Sequence, residues 1–447
     1  MLISKKIALC AGVMAAYGLF GTPNALAALP IQHWTQPSGA QVFLVESPSI
    51  PMVDVQIDFD AGSRRDPAAQ AGLASMTAGQ ASQGVRAVGG LPALDENALG
   101  EAWADLGASF GASAGGDRMS FTLRSLTDPA LLPRAVQLAA RQLGEPAFEA
   151  AIWERDRQRV SASLKEANTR PGTVAGRTFS QAVYGSHPYG FQTTPESLAR
   201  ISVADMQALY ARSILPCRAK VSVVGAVGRD QANTLVQQLL ARLPQTACAP
   251  LPSVGEVQPL ARASDQRIPF EAAQAQVYIG QPGFKRNDPD FFPLIVGNYI
   301  LGGGGFVSRL TTEVRERRGL TYGVSSDFSP GLHAGAFAVG LQTRPDQANE
   351  AVQVVRKVVA DFVAAGPTEV ELEAAKSNLI GGFALRIDSN GKLLGNVANI
   401  AWNGLPLNYL DTWTQQVARV STADIRRAFA RVLQPEVMAT VVVGGAP

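Results

Sequence analysis

Histidine is almost missing from this chain: there are three in 447 residues, His33, His187 and His333, too scattered to form a cluster. Cysteine is as rare, with no C-x-x-C pair and no histidine-rich stretch beside Cys217 or Cys248, which argues against a Cys/His metal site. An excess of either charge is missing too, since 39 basic residues face 37 acidic ones for a net charge of +2. That balance argues against nucleic-acid binding, and the lack of a polybasic run argues against anchorage on anionic lipid. The one long apolar run, Ile7 to Phe20, breaks at Gly21, Thr22 and Pro23, short of the roughly 20 residues that a membrane span needs. Ser75 sits in no G-x-S-x-G elbow, and "LGGGGFVSRL" (301–310) lacks the Lys-Ser/Thr ending of a P-loop.

The short apolar run has its own meaning. Lys5 and Lys6 precede it and Ala25-Leu26-Ala27 follows it, the layout of a secretory signal peptide over 1–27. The expected location is the periplasm, with no membrane attachment after cleavage. Cys10 leaves with that segment, and Cys217 and Cys248 remain as a pair in an oxidising compartment, where a disulfide is the favoured reading.

The mature chain exceeds what one core usually organises, so at least two domains are expected. They are built alike. "ISVADMQALYARSILPCRAKVSVVG" (201–225) aligns without gaps on "VSTADIRRAFARVLQPEVMATVVVG" (420–444), with nine of 25 positions identical at an offset of 219. "VQIDFDAGSRRDP" (55–67) matches "VYIGQPGFKRNDP" (277–289) in pattern at an offset of 222. Alternating stretches such as "RMSFTLRSL" (118–126) and "GAFAVGLQT" (335–343) read as strands. The segment from Asp346 to Ala364 has a helical period, and Ser202 with Asp205 and Ser421 with Asp424 read as helix-capping pairs.

The expected fold class is α+β, two homologous domains at 28–242 and 265–447. Each is a mixed, mainly antiparallel sheet packed with helices. Between them, 243–264 holds four prolines and reads as an extended linker. Such tethering leaves a concave space between the two domains.

Three motifs in order carry a resemblance over roughly residues 38–447: "AGSRRDPAAQAGLA", "YGSHPYGFQTTPESLARISVADM" and "LGGGGFVSRLTTEVRERRGLTYGVSS". The chain resembles the inverzincin metallopeptidases, the family of pitrilysin, insulin-degrading enzyme and mitochondrial processing peptidase. Catalytic members carry H-x-x-E-H, which sets two histidines on one helix face to hold Zn²⁺ while the glutamate activates water. Aligned from "GLA", those positions are Ser75, Ala78 and Gly79 here, and the position of the third ligand is Ser163. None is a zinc ligand, so no metal is expected in this chain. Gly79 inside a helix fits a place where bulk is unwelcome.

The second domain keeps what the first has lost. Arg315 and Tyr322 in "EVRERRGLTYG" stand seven apart across Gly319. By spacing alone they read as a solvated charged face with Glu313, Glu316, Arg317 and Arg318, and as sheet packing. The resemblance implies instead an arginine and a tyrosine that reach across a closed chamber to substrate at a partner's zinc. It implies half of a clamshell: a zinc-less subunit of a heterodimeric peptidase, whose homologous partner bears H-x-x-E-H and whose substrate is an extended peptide. A structural scaffold and a peptide-binding module of the same fold are the alternatives. The run Gly302 to Gly305 reads either as plain turn chemistry or as a chamber-lining loop. "LGASFGASAGG" (106–116) resembles the family's edge strand, and His187 in "SHPYG" reads as structural.

Overall fold

The computed structural model describes residues 30–445, so the signal-peptide reading over 1–27 lies outside the described residues. The first sheet is built from β1 (Gln32–Thr35), β2 (Gln41–Glu46), β3 (Met52–Phe59), β4 (Ser109–Ala114), β5 (Met119–Leu126) and β6 (Lys220–Gly225), in the order β1-β2-β6-β3-β5-β4. The second contains β7 (Ser264–Ile268), β8 (Ala275–Pro282), β9 (Val324–Phe328), β10 (Ala336–Thr343) and β11 (Ala439–Val443), in the order β7-β11-β8-β10-β9. Removing β1 leaves the two orders identical position for position. In each sheet one pairing is parallel, β2 with β6 and β7 with β11, and the rest are antiparallel. The protein is thus an α+β fold of two homologous halves.

Local chemistry sets the elements. Buried and open positions alternate along Met119–Leu126, as a strand with one covered face requires. Ser202 and Ser421 close reciprocal caps with Asp205 and Asp424, each hydroxyl accepting the aspartate N–H and each carboxylate accepting the serine N–H. The helix expected from Asp346 runs Ala348–Ala365 and buries Ala351, Val355, Val358, Val359 and Phe362.

The halves are joined by exchange. The helix Pro171–Tyr184, from the first half, lies on β8 and β11 of the second sheet. There Phe179 stacks on Tyr278 at 5.5 Å, and Ala175 and Val183 join Val441 and Val443 in one cluster. The helix Asn390–Asn403, from the second half, lies on β2, β3 and β6 of the first sheet. Both helices have 14 residues, and their starts are separated by the same 219 positions, 171 to 390, as the repeat in the sequence. Lys220 on β6 donates to the carbonyls of Ala401 and Trp402 at 2.9 and 3.1 Å, satisfying the C-terminal end of the donated helix. Arg118 donates to the Ala398 carbonyl at 3.2 Å, and both cations sit over the Trp402 ring.

Beneath this junction lies a buried carboxylate. Asp58 is 0% exposed, pairs with Arg118 at 2.9 Å and accepts from the Ser120 hydroxyl and the Gln56 amide. Burial pushes its pKa up, opposed by Arg118, Ser120 and Gln56.

A second polar junction involves the linker, which has neither helix nor strand between Leu240 and Ser264. Tyr189 donates its hydroxyl proton to Asp117, which also pairs with Arg64 and accepts the N–H of Leu332 from the second half. His187 accepts the Tyr189 N–H on Nδ1 and shares Nε2 with the Gly255 carbonyl of the linker at 3.0 Å, a pattern that needs the neutral ring. His333 lies 5.1 Å away ring to ring and meets Glu256, itself paired with Lys285. Burial, aided by His333, holds His187 below its ordinary pKa of 6.5, against the pull of the Gly255 carbonyl. A histidine depressed in the folded state binds fewer protons there than when unfolded. Its contribution is therefore complete above pH 6.5 and is lost as pH falls below it. Calorimetry between about pH 7.5 and 5.5 is expected to show the Tm of the wild type falling relative to that of His187→Gln.

Cys217 and Cys248 lie with their sulfurs at bonding distance and their Cα atoms 6.3 Å apart, within the span that a disulfide accepts. The link fastens the start of the linker to the turn before β6.

Candidate functional site

Two places in the fold correspond to the motifs singled out in the sequence. The first is the helix Leu73–Gln80. Its N-terminus is capped by Asp66, whose oxygens accept the N–H groups of Gly72 and Ala74 at 2.9 Å. Burial pushes the Asp66 carboxyl up to about 7, against the pull of those backbone bonds. Ser75 is half-buried, Ala78 buried and Gly79 exposed. A Cβ on Gly79 would meet nothing within 4 Å, so the glycine there is not held by crowding, contrary to the sequence expectation. Across from it runs the helix Ala150–Ala167, with Ser163 exposed.

What joins these two helices is an amide. Gln80 donates to Asp156 at 2.8 Å, while its own carbonyl oxygen is buried without a partner. Asp156 is also held by Arg155 and Arg159. The residues do not fit a zinc ion: the four positions offer a hydroxyl, a methyl, a hydrogen and a second hydroxyl, and the acid nearby is already paired. Among the described residues no three of His, Cys, Asp or Glu come together in ligand geometry. The G-x-S-x-G spacing does occur at Ser109 and Ser113, but both lie within the edge strand β4 rather than at a strand-to-helix turn, so neither forms a nucleophile elbow.

The second place is in the other half, around "GGGGFVSRLTTEVRERRGLTYG" (302–323). The glycine run turns from a helix beside β9 into a short loop. Gly302 packs against Ser326 so closely that any Cβ would collide, and Gly305 takes a φ of +63°, a backbone that side chains resist. Four residues on from Gly305, the loop is clamped. Arg309 grips Glu371 through two bonds of 2.6 and 2.7 Å and reaches the Gly366 carbonyl. Burial alone would raise the Glu371 carboxyl, but Arg309 and the Thr368 cap hold it at about 2.

The chain then winds through Thr311–Glu316 and ends at Gly319, whose φ of +62° and bond to the Arg315 carbonyl close the turn. Glu313 pairs with both Arg317 and Arg318, which makes those three the solvated charged face. Arg315 does not join them. Its guanidinium sits between two rings, 4.8 Å from the centroid of Phe306 and 5.1 Å from that of Tyr322. Among the described residues it has no hydrogen-bonded or ionic partner. Phe306 is 71% exposed and Tyr322 85%, so the stack stands open to solvent. Cation–π contact of this kind fixes a guanidinium plane while leaving its N–H donors free.

The structure thus brings Arg315 and Tyr322 together, adds Phe306, and sets them in a different half from Ser75, Ala78 and Gly79. Phe306 was not among the residues singled out by sequence. The signal was present in the large apolar pair Phe306-Val307 directly after four glycines, where exposure is unavoidable.

This is a peptidase-like fold whose metal-binding positions carry no ligand. Residues 41–195 match the family described as insulinase (peptidase family M16), and residues 200–379 match the peptidase M16 inactive domain. A crystal structure of a peptidase M16 inactive domain from Pseudomonas fluorescens is 32% identical, with a TM-score of 0.88 over 94% of this chain and 98% of that one. The chain belongs to peptidase family M16. It is also 27% identical to the non-peptidase homolog YmxG of Helicobacter pylori, over 86% of this chain and 87% of that protein. The fold is shared with the periplasmic protease PqqL of Escherichia coli at a TM-score of 0.78 and 18% identity, covering 97% of this chain but 49% of that one. Among the described residues no helix is long and apolar enough to cross a membrane.

Proposed function

We propose that this chain is the zinc-less subunit of a heterodimeric periplasmic metallopeptidase. In this reading Arg315 and Tyr322 engage an extended, unfolded peptide at a zinc ion held by a homologous H-x-x-E-H partner. The observation that carries it is the unpaired Arg315 guanidinium stacked between Phe306 and Tyr322, in a chain whose own metal positions are Ser75, Ala78, Gly79 and Ser163. Oriented N–H donors suit peptide carbonyls, and a phenol hydroxyl suits a developing oxyanion. The lengths support the reading: the chain spans about half of PqqL, as one of two units enclosing a chamber would.

The test is reconstitution. The mature chain alone is expected to bind no stoichiometric zinc and to cleave no unfolded peptide, and mixing with the partner is expected to produce both in the complex. Cleavage by the pure isolated chain would falsify the proposal. A peptide-capturing module without a catalytic partner is the second reading, favoured by the open outer edges of β4 and β9. In that case purification from the native host yields varied clients rather than one stoichiometric homologue.

A further inference from the structure

Beside Tyr322, the outer face of the second sheet is only partly covered by the donated helix. The uncovered part is an open trough of about 460 Å³ along β8, β10 and β9. Small side chains make its floor. The strand register places Gly340 between Tyr278 and Ser325, and Ala338 beside Asp327. Glycine within a strand weakens the strand and marks a place where another group approaches closely. A Cβ on Gly340 would already press the Tyr278 ring at 3.3 Å. Tyr278 forms one wall and is held in place by Phe179. The opposite side runs out over β9, the last strand of the sheet.

Among the described residues Asp327 is the only charged side chain lining this trough. It is exposed, and among the described residues its one side-chain partner is the Ser329 hydroxyl at 3.1 Å. The duplicated first sheet shows what this face does with its carboxylates elsewhere. Its β3 carries Asp54 and Asp58, and each is answered by an arginine: Arg124 at 2.6 Å and Arg118 at 2.9 Å. By register, Gln342 occupies on β10 the position that Arg124 occupies on β5. Gln276 stands opposite it where the first sheet has Asp54, so the second sheet carries neither member of that pair, and Asp327, on the edge strand β9, is met by no arginine or lysine among the described residues.

We propose that the trough is a subsite for a cationic side chain, arginine or lysine, of the bound peptide, with Asp327 as its counter-charge and the Tyr278 ring as its wall. The inference rests on the reading of Arg315 and Tyr322 as substrate-facing. Five residues of extended chain separate Tyr322 from Asp327, roughly 16 Å, so the recognised residue lies several positions from the bond being cleaved. Recognition here selects which peptides are held and does not take part in the chemistry.

The test uses the full mature chain assembled with its partner, with the metal removed so that peptides are held and not cleaved, and short fluorescein-labelled unfolded peptides in which a single arginine is moved along a neutral sequence, each with a citrulline twin of the same shape and no charge. At one position the arginine peptide is expected to bind about three-fold more tightly than its twin, with the difference shrinking as salt is raised. Asp327→Asn is expected to erase that preference, and Asp327→Lys to transfer it to a peptide with glutamate at the same position. Glu101→Gln, in the helix Glu96–Asp105 of the other half, is expected to change nothing. Equal affinity for arginine and citrulline at every position overturns the subsite, as does a preference that survives Asp327→Asn. Binding of neutral peptides that is weakened by Arg315→Ala but blind to arginine leaves the functional reading standing and the subsite refuted. Failure to bind any peptide refutes both.

Discussion

In the reconstituted heterodimer, Arg315→Ala and Tyr322→Phe are each expected to lower kcat by about 10²- to 10³-fold, the usual cost of removing one oriented donor from a developing oxyanion. Both mutant chains are expected to co-purify with the zinc-bearing partner as well as the wild type does. The Arg315 guanidinium has no ionic or hydrogen-bonded partner among the described residues, and its neighbours Arg317 and Arg318 are already paired with Glu313. Tyr322 is 85% exposed, so losing its hydroxyl costs the fold little. Phe306→Ala is the instructive companion. It removes one of the two rings that hold the guanidinium plane, so it acts by misplacing Arg315 and is expected to raise KM more than it lowers kcat. Turnover unchanged in both Arg315→Ala and Tyr322→Phe would remove the site from consideration and leave a scaffold.

The second large effect is on stability. Asp58→Ala is expected to destabilise the chain by about 3–5 kcal/mol, because it leaves the Arg118 and Lys220 cations near the base of the junction without their counter-charge. Asp58 is fully buried, and both cations also bind the donated helix through the carbonyls of Ala398, Ala401 and Trp402. The damage should therefore cross from one half to the other. Chemical denaturation of the mutant, followed by circular dichroism and by fluorescence of the five tryptophans, is expected to give one coincident transition at a lower midpoint. Two separated transitions would show that the halves unfold independently and that the exchanged helices couple them weakly.

Much of this architecture can be read from the residues. The repeat offset of 219 locates the paired halves, the Ser-x-x-Asp caps locate matching helices, and period-two stretches locate β5 and β10. The candidate pair Arg315 and Tyr322 is legible only through the family resemblance, because its spacing alone reads as a charged face and sheet packing. The exchange of helices is not, because the apolar stripe of residues 171–184 states that the helix is covered on one side but not by which sheet. Stacking of Phe306 on Arg315 is hidden for a related reason. A glycine run sets the loop free to turn, and only the completed packing of Gly302 against Ser326 and of Arg309 against Glu371 decides where the next side chain points. The unanswered carboxylate of Asp327 becomes visible only once strand register aligns it with a face whose other acids are all paired.

The reciprocal placement of two 14-residue helices has a consequence for how the molecule holds together. A polypeptide severed within the proline-rich connector would not come apart into two free-standing lobes, because each would carry away the cover of the other's sheet. The bond between them is topological as much as covalent, and the exchanged helices add to the polar contacts that the connector makes with each half through Gly255 and Glu256.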